Sequence, residues 1–348
     1  MTSLRKIHIV IVCIIAGLTL SVSPARGQQS QPFTQYLFSR FLLNPAACGA
    51  DGYTSIGLTI KEQWAGLREA PSNQTLNAQI RLPRDMRLGN SRGYRRSSGL
   101  SLENVGLGVS LFNDIRGPIR TTGGQLTYAY HIESASGQLS FGLTTSFSQL
   151  YVDRNKIVTE LGYDRYIDEI RLSSFIPEAS FGVHYTTSDY YVGLSASNLF
   201  QSYLTFGGRS SSDYRLERQY ILLGGYVFEI NREWSLVPSS QFKFNERGAA
   251  QVDVNLMCYY YDQFWGGLSY RSGGGGATGG TSIMFGMRYE QFCFGYAYDH
   301  SLSNMQKYTY GSHEIMASVT FGRSDRFFRY KHRYEFQDSE KRYSRRRR

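Results

Sequence analysis

Proline, cysteine and long apolar runs are all scarce in this sequence, and each scarcity removes a class of protein. Prolines number 8 in 348 residues, against 41% hydrophobic residues, which excludes a Pro-rich or disordered chain. There are 4 cysteines. Cys13 lies in the N-terminal apolar run, and Cys48, Cys258 and Cys293 are odd in number and without metal-type spacing, so no disulfide framework is expected. They read as buried or lipid-facing small hydrophobes. No glycine triplet repeat is present, which excludes collagen. After residue 27 no apolar run approaches the ~18 residues of a transmembrane helix.

Catalytic constellations are also missing. His131, His184, His300, His313 and His332 are scattered and never paired at ligand spacing. A lone strand histidine reads as a hydrogen-bonded wall residue. Asp299-His300 has no Ser or Cys elbow beside it, and Gly273–Gly276 is followed by neither Lys-Ser/Thr nor a helix, so it is no phosphate loop. No catalytic residue, cofactor or metal is expected, and the chain does not read as an enzyme.

Charge is unevenly placed. The formal net charge is +10. Residues 1–27 hold Arg5, Lys6 and Arg26 and no acid, and the segment 323–348 carries eleven basic and four acidic residues. The body between them is neutral, so the basic balance gives no reason to expect nucleic acid. Arg5-Lys6, the apolar run Ile7–Leu20 and small residues around Gly27 follow the order of a secretory signal peptide over 1–27.

Glycine and aromatics are abundant: 36 Gly, 27 Tyr and 21 Phe. They fall in alternating segments. From Gln138 to Tyr151, Leu139, Phe141, Leu143 and Phe147 alternate with Gln138, Ser140, Gly142 and Thr144; Phe292, Phe294, Tyr296 and Tyr298 alternate with Cys293, Gly295, Ala297 and Asp299. Period two gives each segment one apolar face and one small or polar face. The segments run near ten residues and gather aromatics at their ends, as tilted membrane strands do. Fourteen strands are predicted, starting near Thr54, Gln74, Val105, Gly123, Gln138, Phe175, Tyr190, Gln219, Trp234, Ala250, Phe264, Thr281, Phe292 and Gly311. The fold expected is an all-β transmembrane antiparallel barrel over 54–322.

Connection lengths follow strand parity. Short turns are expected at Glu133–Gly137, Thr187–Asp189, Ile230–Glu233, Asp262-Gln263 and Gln291. Long loops are expected at Glu62–Asn73, Asp114–Thr122, Val152–Ser174, Leu199–Arg218, Ser272–Gly280 and Ser301–Tyr310. Glu246–Ala249 is short and Pro83–Asn104 long against this rule. In outer-membrane barrels the short turns face the periplasm, which would place both termini there. Gln251, Asp253, Asn255, Ser269 and Arg271 are expected to face inward.

Before the first strand, 28–53 holds Phe33, Tyr36, Phe38, Phe41 and Leu42 around Asn44-Pro45-Ala46. So apolar a segment reads as a plug in the lumen, like the similar Asn-Pro-Ala opening of FadL-like transporters, or as a periplasmic strap across the mouth. Two basic segments fall on the periplasmic side: Pro83–Asn104, with Arg84, Arg87, Arg92, Arg95 and Arg96, and the tail 323–348 ending in Arg345, Arg346, Arg347 and Arg348. They are candidates for docking an acidic partner, since the arginine fork binds carboxylates through paired hydrogen bonds. A solvated tail, or one held by outer-membrane lipid headgroups, is the plainer reading.

Several segments together resemble the PorP/SprF family of type IX secretion system outer-membrane proteins. They are Gln35-Tyr36, Asn44-Pro45-Ala46, Lys61-Glu62-Gln63-Trp64-Ala65-Gly66, Ala70-Pro71-Ser72, Tyr191–Ser195, Gln251–Asn255, Phe264–Gly273, Tyr296–Asp299 and Gly311-Ser312-His313-Glu314-Ile315-Met316. The likeness runs through about residues 33–321. It implies a role in export or surface attachment of cargo carrying a C-terminal sorting domain, including adhesins of gliding motility. It also implies periplasmic lipoprotein and peptidoglycan-binding partners from the secretion machine. The alternative from a different class is a FadL-like diffusion channel for an apolar solute.

Overall fold

In the computed structural model the chain is described over residues 33–82, 104–153, 156, 173–202, 215–272 and 279–321. Fourteen strands follow in order: β1 Thr54–Glu62, β2 Ser72–Arg81, β3 Val105–Arg116, β4 Ile119–Ser134, β5 Gly137–Val152, β6 Ser173–Thr186 and β7 Tyr190–Ser197. Then come β8 Gln219–Tyr226, continued past a break at Val227 by Phe228–Glu229, β9 Trp234–Asn245, β10 Ala250–Tyr260, β11 Phe264–Arg271, β12 Gly280–Tyr289, β13 Phe292–Ser301 and β14 Ser312–Phe321. Every strand pairs antiparallel with its neighbours in sequence. β1 closes the sheet onto β14 from Thr54↔Phe321 to Glu62↔His313. Closure leaves no unpaired edge, which is what a membrane-embedded sheet requires.

The faces are inverted relative to a soluble protein. Leu126, Phe175, Leu268 and Ile315 each expose 59% or more of their surface, whereas Lys61, Gln241, Asp253, Asn255 and Glu314 expose 2% or less. Apolar residues outside and polar residues inside fit an apolar surrounding. Gln251, Asp253, Asn255 and Ser269 are buried on the inner face, as the alternation predicts. Tyr130, Tyr190, Trp234, Phe264, Tyr289, Phe292 and Phe321 are exposed near the short-turn ends of their strands and make an aromatic girdle there. The Trp234 and Tyr260 rings pack within it, tilted by 42° with centroids 4.6 Å apart. Among the described residues no helix is long and apolar enough to cross a membrane.

One connection differs from expectation. Asp114–Thr122 is no long loop: Arg116 pairs with Ile119, leaving Gly117-Pro118 as a two-residue turn. Gly117, at φ 57°, takes the turn position that glycine fills most easily. β4 and β5 are 16 residues each, about 50 Å of strand. They outrun the roughly 25 Å apolar band of such barrels, so the long-loop end of the wall stands out of the membrane on this side. The loop expected at Val152–Ser174 lies almost wholly outside the described residues.

Candidate functional site

The inside of the barrel is occupied by the chain's own N-terminal segment. Residues 33–53 form three short 3-10 turns, Tyr36–Phe38, Arg40–Leu42 and Pro45–Ala47, before entering β1. Asn44 starts the third turn: its Oδ1 accepts the Ala46 amide at 3.0 Å, and Pro45 follows with its φ already fixed for a helical turn. The Asn44 amide nitrogen donates to the Val183 carbonyl at 3.0 Å and the Leu194 carbonyl at 3.4 Å, tying the turn to β6 and β7. Asn44, Ala46 and Cys48 are fully buried.

Glycines of the wall make this possible. A Cβ at Gly106 would collide with the Cys48 carbonyl, at Gly142 with the Pro45–Ala46 peptide, and at Gly182 with the Asn44 carboxamide. Much of the glycine on β3, β5 and β6 is therefore a matter of volume: the wall lacks side chains where the segment lies. Ser195 Oγ donates to the Leu43 carbonyl at 2.7 Å, and the Gly49 amide donates to Gln79 at 3.0 Å. His131 is a wall residue, buried and hydrogen-bonded: Nε2 lies 3.0 Å from the Cys48 carbonyl and Nδ1 2.8 Å from Ser140 Oγ. The Cys48 carbonyl can only accept, so Nε2 donates to it and Nδ1 accepts the hydrogen bond of the Ser140 hydroxyl. Burial pushes the Cys48 thiol up to about 12, which makes it a small hydrophobe and not a nucleophile.

The start of the segment is held by charge. Lys61 Nζ lies 2.7 Å from Asp299 and 3.4 Å from Glu314. Glu314 accepts the backbone amides of Thr34 at 2.7 Å and Gln35 at 2.8 Å, and Thr34 Oγ1 donates to Asp299 and accepts from Lys61. Lys61 and Glu314 are directly paired residues of β1 and β14, so the cluster sits on the closing seam. It lies near the ends of β1 and β13 that lead into long connections. The segment thus crosses the lumen from the long-loop half at Thr34 to the short-turn end at Thr54.

Above it, on the long-loop side, is a cavity of about 1160 Å³. Phe33, Tyr36, Leu42 and Leu43 form its floor, and Asp114, Arg116, Arg215 and Arg247 stand in its wall. The base of the β7–β8 loop is tied down at this mouth. Glu178 accepts the amides of Phe200 at 3.2 Å and Ser202 at 2.6 Å, and Arg218 pairs with Glu246 at 3.1 Å.

A family model described as type IX secretion system membrane protein PorP/SprF matches residues 25–319. The chain belongs to the PorP/SprF family. It is an outer-membrane β-barrel of the type IX secretion system, and its own closed sheet and its family together indicate a non-enzymatic membrane protein. Among solved structures it is similar to a TodX deltaS2S3 mutant monoaromatic hydrocarbon channel, at TM-score 0.46 and 10% identity over 86% of this chain and 97% of that one. It is also similar to Omp33 of Acinetobacter baumannii (0.41, 10%, 78% and 99%) and to the KdgM porin (0.36, 8%, 77% and 99%). A comparison with curated proteins finds no match.

Of the residues singled out from the PorP/SprF-like sequence, Asn44, Pro45 and Ala46 lie together inside the lumen. Arg84, Arg87, Arg92, Arg95, Arg96 and Arg345–Arg348 lie outside the described residues. The charged cluster Lys61–Asp299–Glu314 was not anticipated. Each member belongs to a segment carrying the family resemblance, yet Lys61 is some 240 positions or more from Asp299 and Glu314 in the sequence. Only barrel closure brings them together.

Proposed function

We propose that this chain supports export and surface attachment of cargo proteins carrying a C-terminal sorting domain, of adhesin or gliding type, and binds them through its long-loop end. The observation that carries this reading is the filled lumen. Residues 33–53 are packed and hydrogen-bonded to β2, β4, β6, β7, β13 and β14, so a polypeptide in transit finds no open path and the loops are the surface left for it. The segment acts in this reading as a plug, comparable to that of FadL-like barrels. Tyr and Arg in the loops suit a protein interface; Phe200, Tyr308 and Tyr310 are exposed by 65%, 72% and 79% at this end.

Long loops then face outside and short turns the periplasm, with the chain leaving β14 at Phe321 on the periplasmic side. There Arg84, Arg87, Arg92, Arg95, Arg96 and Arg345–Arg348 form a docking face for an acidic periplasmic partner, a lipoprotein or peptidoglycan-binding component of the machine. The alternative, a diffusion channel for an apolar solute, has against it the polar stretch of inner wall at Gln251, Asp253, Asn255 and Ser269, while the apolar stretch at Met257, Trp265 and Met284 is covered by Leu37 and Phe38 of the segment. Replacing Leu199–Arg218 by a short Gly/Ser turn tests the cargo reading in cells: the barrel should assemble while cargo is lost from the surface. Undiminished surface cargo would refute it.

A further inference from the structure

The lumenal segment has two parts held by different physics. Leu43–Gly49 is an anchor, fitted into wall positions that lack side chains on β3, β5, β6 and β7 and held by neutral hydrogen bonds. Phe33–Phe38 is an arm lying on the other half of the wall. Its contacts are Thr34 and Gln35 with the Lys61–Asp299–Glu314 cluster, Tyr36 with Asn255 Nδ2 at 2.6 Å, and Phe38 against Trp265 at 4.6 Å.

We propose that the arm is a gate, and that its release, with the anchor still seated, turns the lumen into an aqueous path for small hydrophilic solutes and ions. Three observations carry this. The arm's charged attachments converge on one cluster at the barrel seam, so a single local event removes them together and leaves the Tyr36–Asn255 hydrogen bond and the apolar packing of Leu37 and Phe38 to hold the arm. Besides His184 beside the anchor and Thr309, the buried polar atoms with no hydrogen-bond partner among the described residues lie where the arm sits, at Gln35 Oε1, Asn255 Oδ1 and Trp265 Nε1, with Gln241 and Ser239 on neighbouring β9. Such groups favour a state in which water reaches them, so the closed arrangement is poised. Finally, the wall behind Thr34–Tyr36 carries Asp253, Asn255, Ser269 and Arg271, a polar track for hydrated solutes beside the apolar patch of Met257, Trp265 and Met284 on which Leu37 and Phe38 pack. The gate does not depend on the cargo reading.

The test is single-channel recording of the purified full chain in planar lipid bilayers. Glu314→Gln with Asp299→Asn should raise the open fraction at least ten-fold over the nearly silent natural chain. Gln35→Pro, which removes one amide that Glu314 accepts and alters no strand residue, should act in the same direction even if the double variant fails to assemble. Lys156→Gln, at an exposed ion pair with Glu69 outside the cavity, should stay silent. In a background without native cysteines, Thr34→Cys with Asp299→Cys should conduct when free and close when joined by a short reducible thiosulfonate cross-linker. Arm variants that remain silent in barrels of normal heat-modifiable mobility would overturn the gate, as would current indifferent to the cross-link.

Discussion

Asn44 is the residue on which the lumenal segment turns. Its carboxamide caps a 3-10 turn and satisfies two wall carbonyls, and truncation would leave these groups buried and unpaired at about 1–3 kcal/mol for the site. Asn44→Ala should therefore loosen the segment without unfolding the barrel. Trypsin should cut at Arg40 many times faster than in the natural chain, while heat-modifiable mobility is unchanged. Cys48 reports the same event chemically. With its thiol at about 12 and fully buried, it is protonated throughout the neutral range. In a Cys258→Ala, Cys293→Ala background it should resist maleimide at pH 7–8, and Asn44→Ala should restore labelling. Rapid labelling of the intact chain would contradict the packing.

At the scale of the elements, strands were legible because alternation inside a membrane is enforced residue by residue. Leu139, Phe141, Leu143, Phe147 and Tyr151 show it on β5, with Thr145 and Gln149 as the polar exceptions on that face, and β1, β3, β7–β11 and β13 begin at the predicted residues. The miss at Asp114–Thr122 has a physical cause. These residues stand where β3 and β4 rise past the apolar band, where neither face need be apolar, so Asp114, Arg120, Thr121 and Thr122 read as loop although they are paired. The glycine cradle was illegible for another reason. Glycine announces a missing side chain, and what fills the space, here Asn44, Pro45 and Cys48, is set by distant sequence. Lys61 and Glu314 likewise show their inward phase in the sequence, but their pairing follows only from closure of β1 on β14. Strand parity makes its own prediction. An impermeant maleimide added to intact cells should label Tyr308→Cys, at a long-loop tip, and miss Ser188→Cys, in the β6–β7 turn; the reverse pattern would invert the topology.

For the whole molecule, the lumen, the loops and the basic segments divide the work proposed for this family member. The strand ends that flank the basic segments, Arg81 of β2, Val105 of β3 and Phe321 of β14, are at the short-turn end. Exposed charge pairs are worth about 0–1 kcal/mol each and are screened by salt, so a docking face built from them must use many at once. Deleting 323–348 should leave the barrel heat-modifiable while periplasmic partners co-purify less, and salt should weaken what remains. Partners retained equally at low and high salt would remove these arginines from the interface.

The most direct test is affinity purification of the tagged full chain from its native outer membrane, with the bound proteins quantified by mass spectrometry for the natural chain and for the Leu199–Arg218 replacement. Sorting-domain cargo and secretion-machine components should be enriched with the natural chain, and the replacement should lose the cargo while keeping the machine. Cargo recovered equally from both, or from neither, would contradict binding at the long-loop end.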